Sequence, residues 1–177
     1  MSVSETELPG VYLFEPRVFG DERGFFLETF RASALDELGI DVEFVQHNHS
    51  RSAQNVLRGL HFQTERPQGK LVRAARGAIF DVAVDIRPDS AHYGQWVGAI
   101  LDDKDHRQLY VPPGFAHGFL VMSEVADVVY KCTDYYDPNA EGGVMWDDPT
   151  IGIEWPLEGT PVLSQKDRGW PRLNNNI

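Results

Sequence analysis

The sequence predicts an all-β domain, a sandwich or a barrel, and two observations carry that prediction. Ten short runs of apolar or alternating residues recur along the 177 residues, which is the pattern of β-strands. Turn-forming residues, chiefly Gly, Pro, Asp and Asn, separate these runs at short intervals. Many short strands joined by tight turns are typical of sandwiches and barrels, so we expect little helix.

The predicted elements follow in chain order. The strands are expected at residues 11–14, 25–30, 42–45, 56–62, 71–75, 78–86, 95–101, 108–111, 119–122 and 127–132. Turn signals separate them at residues 20–24, 69, 77, 87–89, 112–114 and 137–139. One short helix is predicted at residues 33–38 with Gly39 as its C-terminal stop, and residues 146–152 have room for another turn or two.

The parity of one strand predicts a backbone irregularity at Gly59. Side chains alternate between the two faces of a strand, and Arg58 and His61 differ by an odd number of positions. On an unbroken strand they would point to opposite faces, whereas a bulge at Gly59 would re-aim one of them. His117 and Tyr130, on two later strands, could line one cavity.

Composition excludes several classes of protein. The formal net charge is −11 and the pI is near 4.9, so the average surface repels nucleic acid and anionic membranes. No run approaches the roughly 20 apolar residues of a membrane-spanning helix. The single cysteine, Cys132, cannot form an intrachain disulfide, and residues 1–7 lack the features of a secretory signal. We therefore expect one cytoplasmic domain over residues 1–177.

One segment reverses the acidic charge of the chain. Residues 51–76 carry six cations against one acid, Glu65, and they enclose His61. The cations are Arg51, Arg58, Arg66, Lys70, Arg73 and Arg76. We expect this segment to form a cationic funnel around His61, which implies an anionic small-molecule substrate.

Four side chains are candidates for chemistry, and each has a structural alternative. His61 lies between Leu60 and Phe62, so it is either a buried structural residue or a base. Tyr130 is either an ordinary strand tyrosine or a proton donor, and Lys70 is either a solvated strand end or a group that stabilises an enolate. Arg23 either caps a turn or binds phosphate, with Phe26 offering an apolar face to a base.

Metal and cofactor chemistry are not favoured. His47, His49 and His117 could ligate a metal, but residues 50–64 contain no carboxylate to complete the site. No Gly-rich dinucleotide or phosphate-binding fingerprint is present, so a nicotinamide cofactor is not implied. Cys132 has no flanking histidine to activate it as a nucleophile. We expect an activity without cofactor or metal.

Several ordered motifs resemble one known family over nearly the whole chain, from about Val11 to Arg168. They are GFFLETF at 24–30, QHNHS at 46–50, RGLHFQ at 58–63, QGKLVR at 68–73, PPGFAHGF at 112–119 and LSQKD at 163–167. The chain closely resembles the dTDP-4-dehydrorhamnose 3,5-epimerases. That resemblance implies a cupin-type antiparallel β-barrel or jelly roll, a metal-free homodimer, and conversion of dTDP-4-dehydro-6-deoxy-D-glucose to dTDP-4-dehydro-L-rhamnose. The product would feed dTDP-L-rhamnose and polysaccharide synthesis.

The resemblance also implies roles for individual residues. His61 would be the base, Asp167 would orient it, Tyr130 would be the acid, and Lys70 would hold the 4-keto oxygen. Further residues match positions that bind nucleotide or sugar: Arg23, Glu28, Gln46, Asn48, Arg58, His117, Glu141 and Lys166. Phe26 and Tyr136 match positions that contact the thymidine.

The resemblance has one departure and leaves alternatives open. The family usually has an acid between Gln46 and Asn48, where this chain has His47, so that contact is in doubt. A 3-only or 5-only epimerase, or a 3,4-ketoisomerase, would show nearly the same motifs. A metal-dependent oxygenase and a silent sugar-binding module are alternatives from other classes.

Overall fold

A computed structural model describes residues 1–173, so the predicted domain over residues 1–177 ends in four residues that lie outside the described part. Within residues 1–173 the chain forms thirteen strands and one four-residue helix, which confirms the all-β prediction. The elements are β1 (Ser2–Glu5), β2 (Tyr12–Glu15), β3 (Val18–Asp21), β4 (Gly24–Leu27), α1 (Ser33–Asp36), β5 (Gln46–Ala53), β6 (Leu57–Gln63), β7 (Lys70–Arg76), β8 (Ala78–Asp85), β9 (Trp96–Asp102), β10 (Gln108–Val111), β11 (Phe115–Val121), β12 (Val125–Cys132) and β13 (Glu141–Gly143).

Two antiparallel sheets face each other as a jelly roll. The larger sheet has six strands in the order β1-β2-β10-β7-β12-β5, and the smaller has five in the order β13-β6-β11-β8-β9. Strands β3 and β4 form a separate hairpin. The expected cupin-type architecture is therefore confirmed, and the space between the two sheets is where a cavity can form.

Alternating side chains divide each sheet into an inner and an outer face. Val72 and Ala74 of β7 pack with Ala83 of β8 and Val128 of β12 in the main core between the sheets. Leu71, which precedes Val72 on β7 and so points to the opposite face, belongs instead to a cluster on the outer face of the larger sheet. Each fully buried aliphatic side chain in these clusters stabilises the fold by roughly 1.5–3 kcal/mol.

Helix α1 covers part of that outer face. Leu35 of α1 is buried against Phe14, Leu71 and Tyr110 of the sheet. The helix is shorter than predicted, ending at Asp36, and Gly39 follows with a φ of 71°, as expected of a C-terminal stop. Residues 146–152 form hydrogen-bonded turns and no helix.

The main error of strand prediction lies around β5. A strand was predicted at residues 42–45, but this apolar segment is irregular, and Val42 and Phe44 pack against the cluster of α1. The strand begins at Gln46, where the sequence turns polar, and it pairs along its whole length with β12. Strands β1, β3 and β13 were also not predicted. These strands are only three or four residues long, which is too short for a clear apolar pattern, and pairing with a neighbouring strand defines them.

The predicted irregularity at Gly59 is confirmed. His117 of β11 lies opposite His61, whereas Phe119, two residues on, lies opposite Arg58, three residues back. One extra residue on β6 makes a bulge, and Gly59 there has a φ of 130°. A Cβ at Gly59 would lie 2.5 Å from the Cα of Gly118, so both strands need glycine at this crossing.

An ion pair joins β5 to β12. Asp127 is buried and accepts hydrogen bonds from Nε and Nη2 of Arg51 at 2.7 and 2.8 Å, and from Nε2 of His49 at 3.2 Å. The hydrogen bonds from Arg51 are the main reason that the pKa of Asp127 falls to about 2. The carboxylate thus holds the polar edge strand in register.

Replacing Gly59→Ala is expected to destabilise the fold by about 2–4 kcal/mol, because the new Cβ meets backbone and the positive φ disfavours any side chain. Denaturant unfolding measures the loss. Gly20→Ala is the control, since a Cβ there would meet its nearest neighbour at an ordinary 3.8 Å. Equal stability of the two variants would contradict the tight crossing.

The contribution of Asp127 should depend on pH. Its folded pKa lies below the ordinary 3.8, so the carboxylate adds stability above that value and loses it as the pH falls toward 2. The free energy of unfolding of the wild type should therefore exceed that of Asp127→Asn at pH 6, and the difference should shrink between about pH 4 and pH 2. Asp89→Asn, in an exposed turn, is the control. A difference that persists at low pH would contradict the assignment.

Candidate active site

Two adjoining cavities lie between the sheets. The larger pocket, of about 300 Å³, is lined by Gln46, Asn48, His61, Phe62, Gln63, Gln68, Lys70, Tyr130, Tyr136 and Glu141. The smaller pocket, of about 140 Å³, is lined by Ser50, Arg58, His61, Lys70, His117, Gly118, Phe119 and Tyr130. Three residues, His61, Lys70 and Tyr130, border both, and the expectation that His117 and Tyr130 line one cavity is confirmed.

A histidine–carboxylate pair stands on the wall formed by the smaller sheet. His61 of β6 donates from Nε2 to Oδ1 of Asp167 at 2.5 Å. Asp167 also accepts from Oγ of Ser164 at 2.8 Å and from Nε1 of Trp170 at 3.3 Å. Because Nε2 carries the proton of this bond, Nδ1 of the neutral ring is the nitrogen that can accept a proton.

The environment keeps Asp167 ionised. Burial by itself raises the pKa of this carboxyl, but the hydrogen bond and charge of His61, with the bonds from Ser164 and Trp170, outweigh burial. The net pKa of Asp167 is below its ordinary value. An ionised Asp167 holds the orientation of the ring and would stabilise an imidazolium if His61 took up a proton.

The opposite wall, formed by the larger sheet, supplies a phenol and an ammonium. Tyr130 projects from β12, and burial followed by the influence of Cys132 raises its pKa, against an opposing effect of Arg58. Lys70 projects from β7, and burial lowers its pKa, although Cys132, Asp81 and Glu141 act in the other direction. The phenol therefore remains protonated at neutral pH and can donate, and the ammonium lies where a negative oxygen would be stabilised.

Polar side chains form the rim of the larger pocket. Nε2 of Gln46 donates to Oδ1 of Asn48 at 3.0 Å, and Oε1 of Gln46 accepts from the backbone N–H of Tyr136 at 2.9 Å. Glu141 accepts from the hydroxyl of Tyr136 at 2.7 Å and pairs with Lys166. The ring of Tyr136 is half exposed, so this rim presents an aromatic face beside a cation.

A second histidine–carboxylate pair borders the smaller pocket. Nε2 of His117 donates to Oδ1 of Asp81 at 2.8 Å, and both residues are buried. Nearby, Nε of Arg58 donates to Oγ of Ser52 at 3.0 Å. The bulge at Gly59 is what brings Arg58 and His61 to one cavity, since both line the smaller pocket.

Three predicted site residues lie away from both pockets in the single chain. Arg23 and Phe26 belong to the β3–β4 hairpin, and Glu28 follows it. Arg23 pairs with Asp21, Glu28 pairs with Arg31, and Phe26 is 70% exposed. In the single chain these three residues therefore line neither pocket.

The expected cationic funnel is wrong in its extent. Arg58 and Lys70 line the pockets, but Arg51 pairs with Asp127, and Arg66 pairs with Asp134. Arg73 differs from Lys70 by an odd number of positions on β7 and so lies on the outer face. Strand alternation thus divides a cationic segment of the sequence between two faces.

The histidines of the possible metal site do not converge. His47 and His49 lie on the outer face of β5, where His47 accepts from Nζ of Lys131 at 2.8 Å and His49 bonds to Asp127. His117 faces the interior. Over residues 1–173, no group of three or more His, Cys, Asp or Glu side chains could hold a metal ion. The departure at His47 also leaves the pocket unchanged, because its side chain points away.

Several pocket residues were not predicted, among them Ser50, Gln63 and Gln68. Ser50 shares its face of β5 with Gln46 and Asn48. This two-residue spacing would have predicted Ser50 as a pocket residue if β5 had been recognised as a strand. Gln63 accepts from the N–H of Asp137 at 2.7 Å and donates to the carbonyl of Tyr135 at 3.3 Å. It therefore fixes the loop that carries Tyr136.

Comparison with known proteins decides the family. A family model described as dTDP-4-dehydrorhamnose 3,5-epimerase matches residues 5–175 of the chain. The chain belongs to this family. The dTDP-4-dehydrorhamnose 3,5-epimerase of Salmonella typhimurium is 55% identical over 179 residues, covering 100% of this chain and 98% of the relative. The resemblance of the sequence motifs is thus confirmed.

Solved structures of epimerases share the fold. The dTDP-6-deoxy-D-glucose-3,5-epimerase of Legionella pneumophila, in complex with dTDP-4-keto-L-rhamnose, matches with a TM-score of 0.96 and 50% identity, covering 98% of this chain and 93% of that one. A 3'-monoepimerase from Streptomyces bikiniensis in complex with dTDP-quinovose matches with a TM-score of 0.89 and 34% identity, covering 95% and 86%. Among the described residues of this epimerase-family chain, no helix is long and apolar enough to cross a membrane.

The two lysines of the site should titrate on opposite sides of the ordinary lysine value. Burial lowers the pKa of Lys70 below 10.5, whereas the hydrogen bond from Lys166 to Glu141 raises the pKa of Lys166 above it. We expect NMR titration of lysine labelled with ¹³C at Cε to show this order, with signals assigned from single Lys→Arg variants. A Lys70 pKa at or above that of Lys166 would contradict a desolvated ammonium in the pocket.

Proposed function

We propose that the protein epimerises C3 and C5 of dTDP-4-dehydro-6-deoxy-D-glucose to give dTDP-4-dehydro-L-rhamnose, a step of dTDP-L-rhamnose biosynthesis. The observation that carries the proposal is that two groups of reactive side chains face each other across the cavity, one group on each sheet. His61 with Asp167 stands on one sheet, and Tyr130 with Lys70 stands on the other, around one cavity. Family membership supplies the substrate class.

The chemistry of this sugar suits the two walls. The hydrogens on C3 and C5 are both adjacent to the C4 ketone, so loss of either leaves an enolate whose charge resides on the C4 oxygen. A single ammonium, that of Lys70, can stabilise both enolates. Inversion requires that a proton leave one face of the ring and another arrive on the opposite face. A base and an acid on opposing sheets meet that requirement.

Each half of the reaction balances without a redox partner. Nδ1 of His61 takes the proton from the ring carbon, and the C–H electrons form the enolate C=C bond. Tyr130 then delivers its phenolic proton to the opposite face, and the C–H bond reforms with inverted configuration. His61 returns its proton and Tyr130 regains one through solvent before the second carbon reacts. Asp167 supports the charged imidazolium throughout.

The remaining predicted residues would hold the nucleotide sugar. Arg58 and His117 border the smaller pocket and would bind the sugar. Further polar groups at the rim would bind the diphosphate and nucleoside: Gln46, Asn48, Tyr136, Glu141 and Lys166. Binding energy at the nucleotide would position the reacting carbons between the two walls.

The proposal also includes a homodimer in which each chain contributes to the site of the other. Arg23, Phe26 and Glu28 line neither pocket of their own chain, and Phe25 and Phe26 of the hairpin are 62% and 70% exposed. In a symmetric pair the hairpin of one chain would cover the pocket of the other, with Arg23 on the phosphates and Phe26 against the base. A cytoplasmic location belongs to the proposal, because sugar nucleotides are made and used there.

A mono-epimerase is the second candidate. The similarity to a 3'-monoepimerase with the same fold is the observation that favours it. The same base, acid and ammonium can act at one carbon only, if the other carbon is held out of line with His61 and Tyr130. The number of carbons that exchange hydrogen separates the two functions.

The test is NMR of dTDP-4-dehydro-6-deoxy-D-glucose with the wild type in deuterated water. We expect deuterium and inversion at both C3 and C5. Tyr130→Phe should bind dTDP as the wild type does but lose at least about 100-fold in epimerisation, because it removes the acid. His61→Ala should lose exchange at both carbons.

Different outcomes have different meanings. Exchange at one carbon would replace the proposal with a mono-epimerase. Wild-type turnover in Tyr130→Phe would exclude Tyr130 as the acid, and wild-type exchange in His61→Ala would assign the base to another residue. Absence of any exchange by the folded wild type would overturn the proposed function.

A further inference from the structure

The inner face of β5 carries four polar side chains in succession. They are Gln46, Asn48, Ser50 and Ser52, at every second position of the strand. Gln46 donates to Asn48, the amide of Asn48 donates to Sγ of Cys132 at 3.6 Å, and Ser52 accepts from Nε of Arg58. These three side chains therefore have partners within the chain.

Ser50 differs from its neighbours on this row. Among residues 1–173, its Oγ is one of four buried side-chain atoms that lack a hydrogen-bond partner; the others belong to Asp81, His106 and Arg107. Of these four residues, Ser50 is the one that lines the smaller pocket. A buried hydroxyl without a partner is costly to fold, so its presence beside a cavity calls for a ligand that supplies the partner.

The chemistry of the smaller pocket indicates what that ligand group is. Arg58 and Lys70 can only donate hydrogen bonds, and Nε2 of His117 is already bonded to Asp81. A sugar hydroxyl needs an acceptor for its own proton as well as donors for its oxygen. The hydroxyl of Ser50 can accept that proton, which the two cations cannot.

The position of Ser50 places it next to the proposed acid. Ser50 lies opposite Val128 on β12, and Asn48 lies opposite Tyr130, so Ser50 and Tyr130 are diagonal neighbours on the inner face. A ring hydroxyl bound by Ser50 would hold the sugar beside the phenol that delivers the proton. The expected effect is therefore on the sugar and not on the nucleotide at the rim.

We propose that Ser50 is a substrate-binding residue whose hydroxyl accepts a hydrogen bond from a ring hydroxyl of the hexose in the smaller pocket. This inference rests on the proposed function and assigns a further contact at the same site. It also explains the unpaired hydroxyl as a contact that the ligand completes.

Ser50→Ala tests the inference with three measurements. The kcat/KM for dTDP-4-dehydro-6-deoxy-D-glucose should fall about 10-fold, the effect of losing one buried hydrogen bond to a substrate. The Kd for dTDP alone, measured by calorimetry, should stay within about 2-fold of the wild type. The Tm should stay the same or rise, because the substitution removes an unpaired polar group.

Ser123→Ala is the matched control. Its Oγ accepts from the backbone N–H of Ala78 at 2.8 Å and donates to the carbonyl of Val125 at 2.8 Å, and Ser123 lines neither pocket. This variant should lower the Tm and leave kcat/KM unchanged, the reverse of the pattern for Ser50→Ala.

The outcomes separate the inference from the function on which it rests. An unchanged kcat/KM in Ser50→Ala, with an active wild type, would overturn the inference and leave the proposed function standing. A lower Tm with equal losses of dTDP and sugar affinity would make Ser50 structural and also overturn it. The activity of the wild type is measured before any variant is made. If the wild type does not epimerise the substrate, both the proposed function and this inference are overturned.

Discussion

The close crossing of β6 and β11 is the constraint on which the site depends. Gly59 and Gly118 approach so nearly that a Cβ on Gly59 would meet the backbone of β11 at 2.5 Å. The extra residue that this crossing accommodates turns both Arg58 and His61 toward one cavity, which a regular strand would forbid. The position of His61, the proposed base, relative to the opposite wall therefore depends on two glycines that have no proposed part in the chemistry.

The cavity between the sheets has opposite effects on the groups that line it. Burial raises the pKa of Tyr130 and lowers that of Lys70, and yet Asp167 stays acidic because His61, Ser164 and Trp170 together outweigh burial. The pKa values of the phenol, the ammonium and the carboxyl group are thus shifted in different ways within one small volume. A dTDP-sugar epimerase needs this combination, since acid and base must act on opposite faces of the ring at the same pH.

Some polar and apolar side chains lack partners at places where a ligand or a second chain would supply them. The hydroxyl of Ser50 lacks a partner in the pocket, and the rings of Phe25 and Phe26 are exposed on a projecting hairpin. Other buried polar groups have partners, as Asp85 has in Arg87 and Ser90, although one side-chain atom in each of Asp81, His106 and Arg107 also lacks a partner. The unpaired hydroxyl of Ser50 lies in the proposed sugar subsite, and the exposed rings lie in the proposed dimer contact. Functional sites are where proteins commonly give up stability.

Turn spacing, strand parity and ordered motifs are local properties of the chain, so the all-β class, the irregularity at Gly59 and the family could all be predicted from the sequence. The partnership of His61 with Asp167, 106 positions apart, came from resemblance, and only the tertiary structure shows the bond itself. The polar strand β5 could not be predicted from the sequence, because its pairing with β12 is what defines it. For the same reason the sequence did not show that Ser50 faces the interior. The number of cations of residues 51–76 that face the site was overestimated for a related reason. Which face a side chain takes depends on register and on neighbouring strands, and these are decided only when the two sheets pack together.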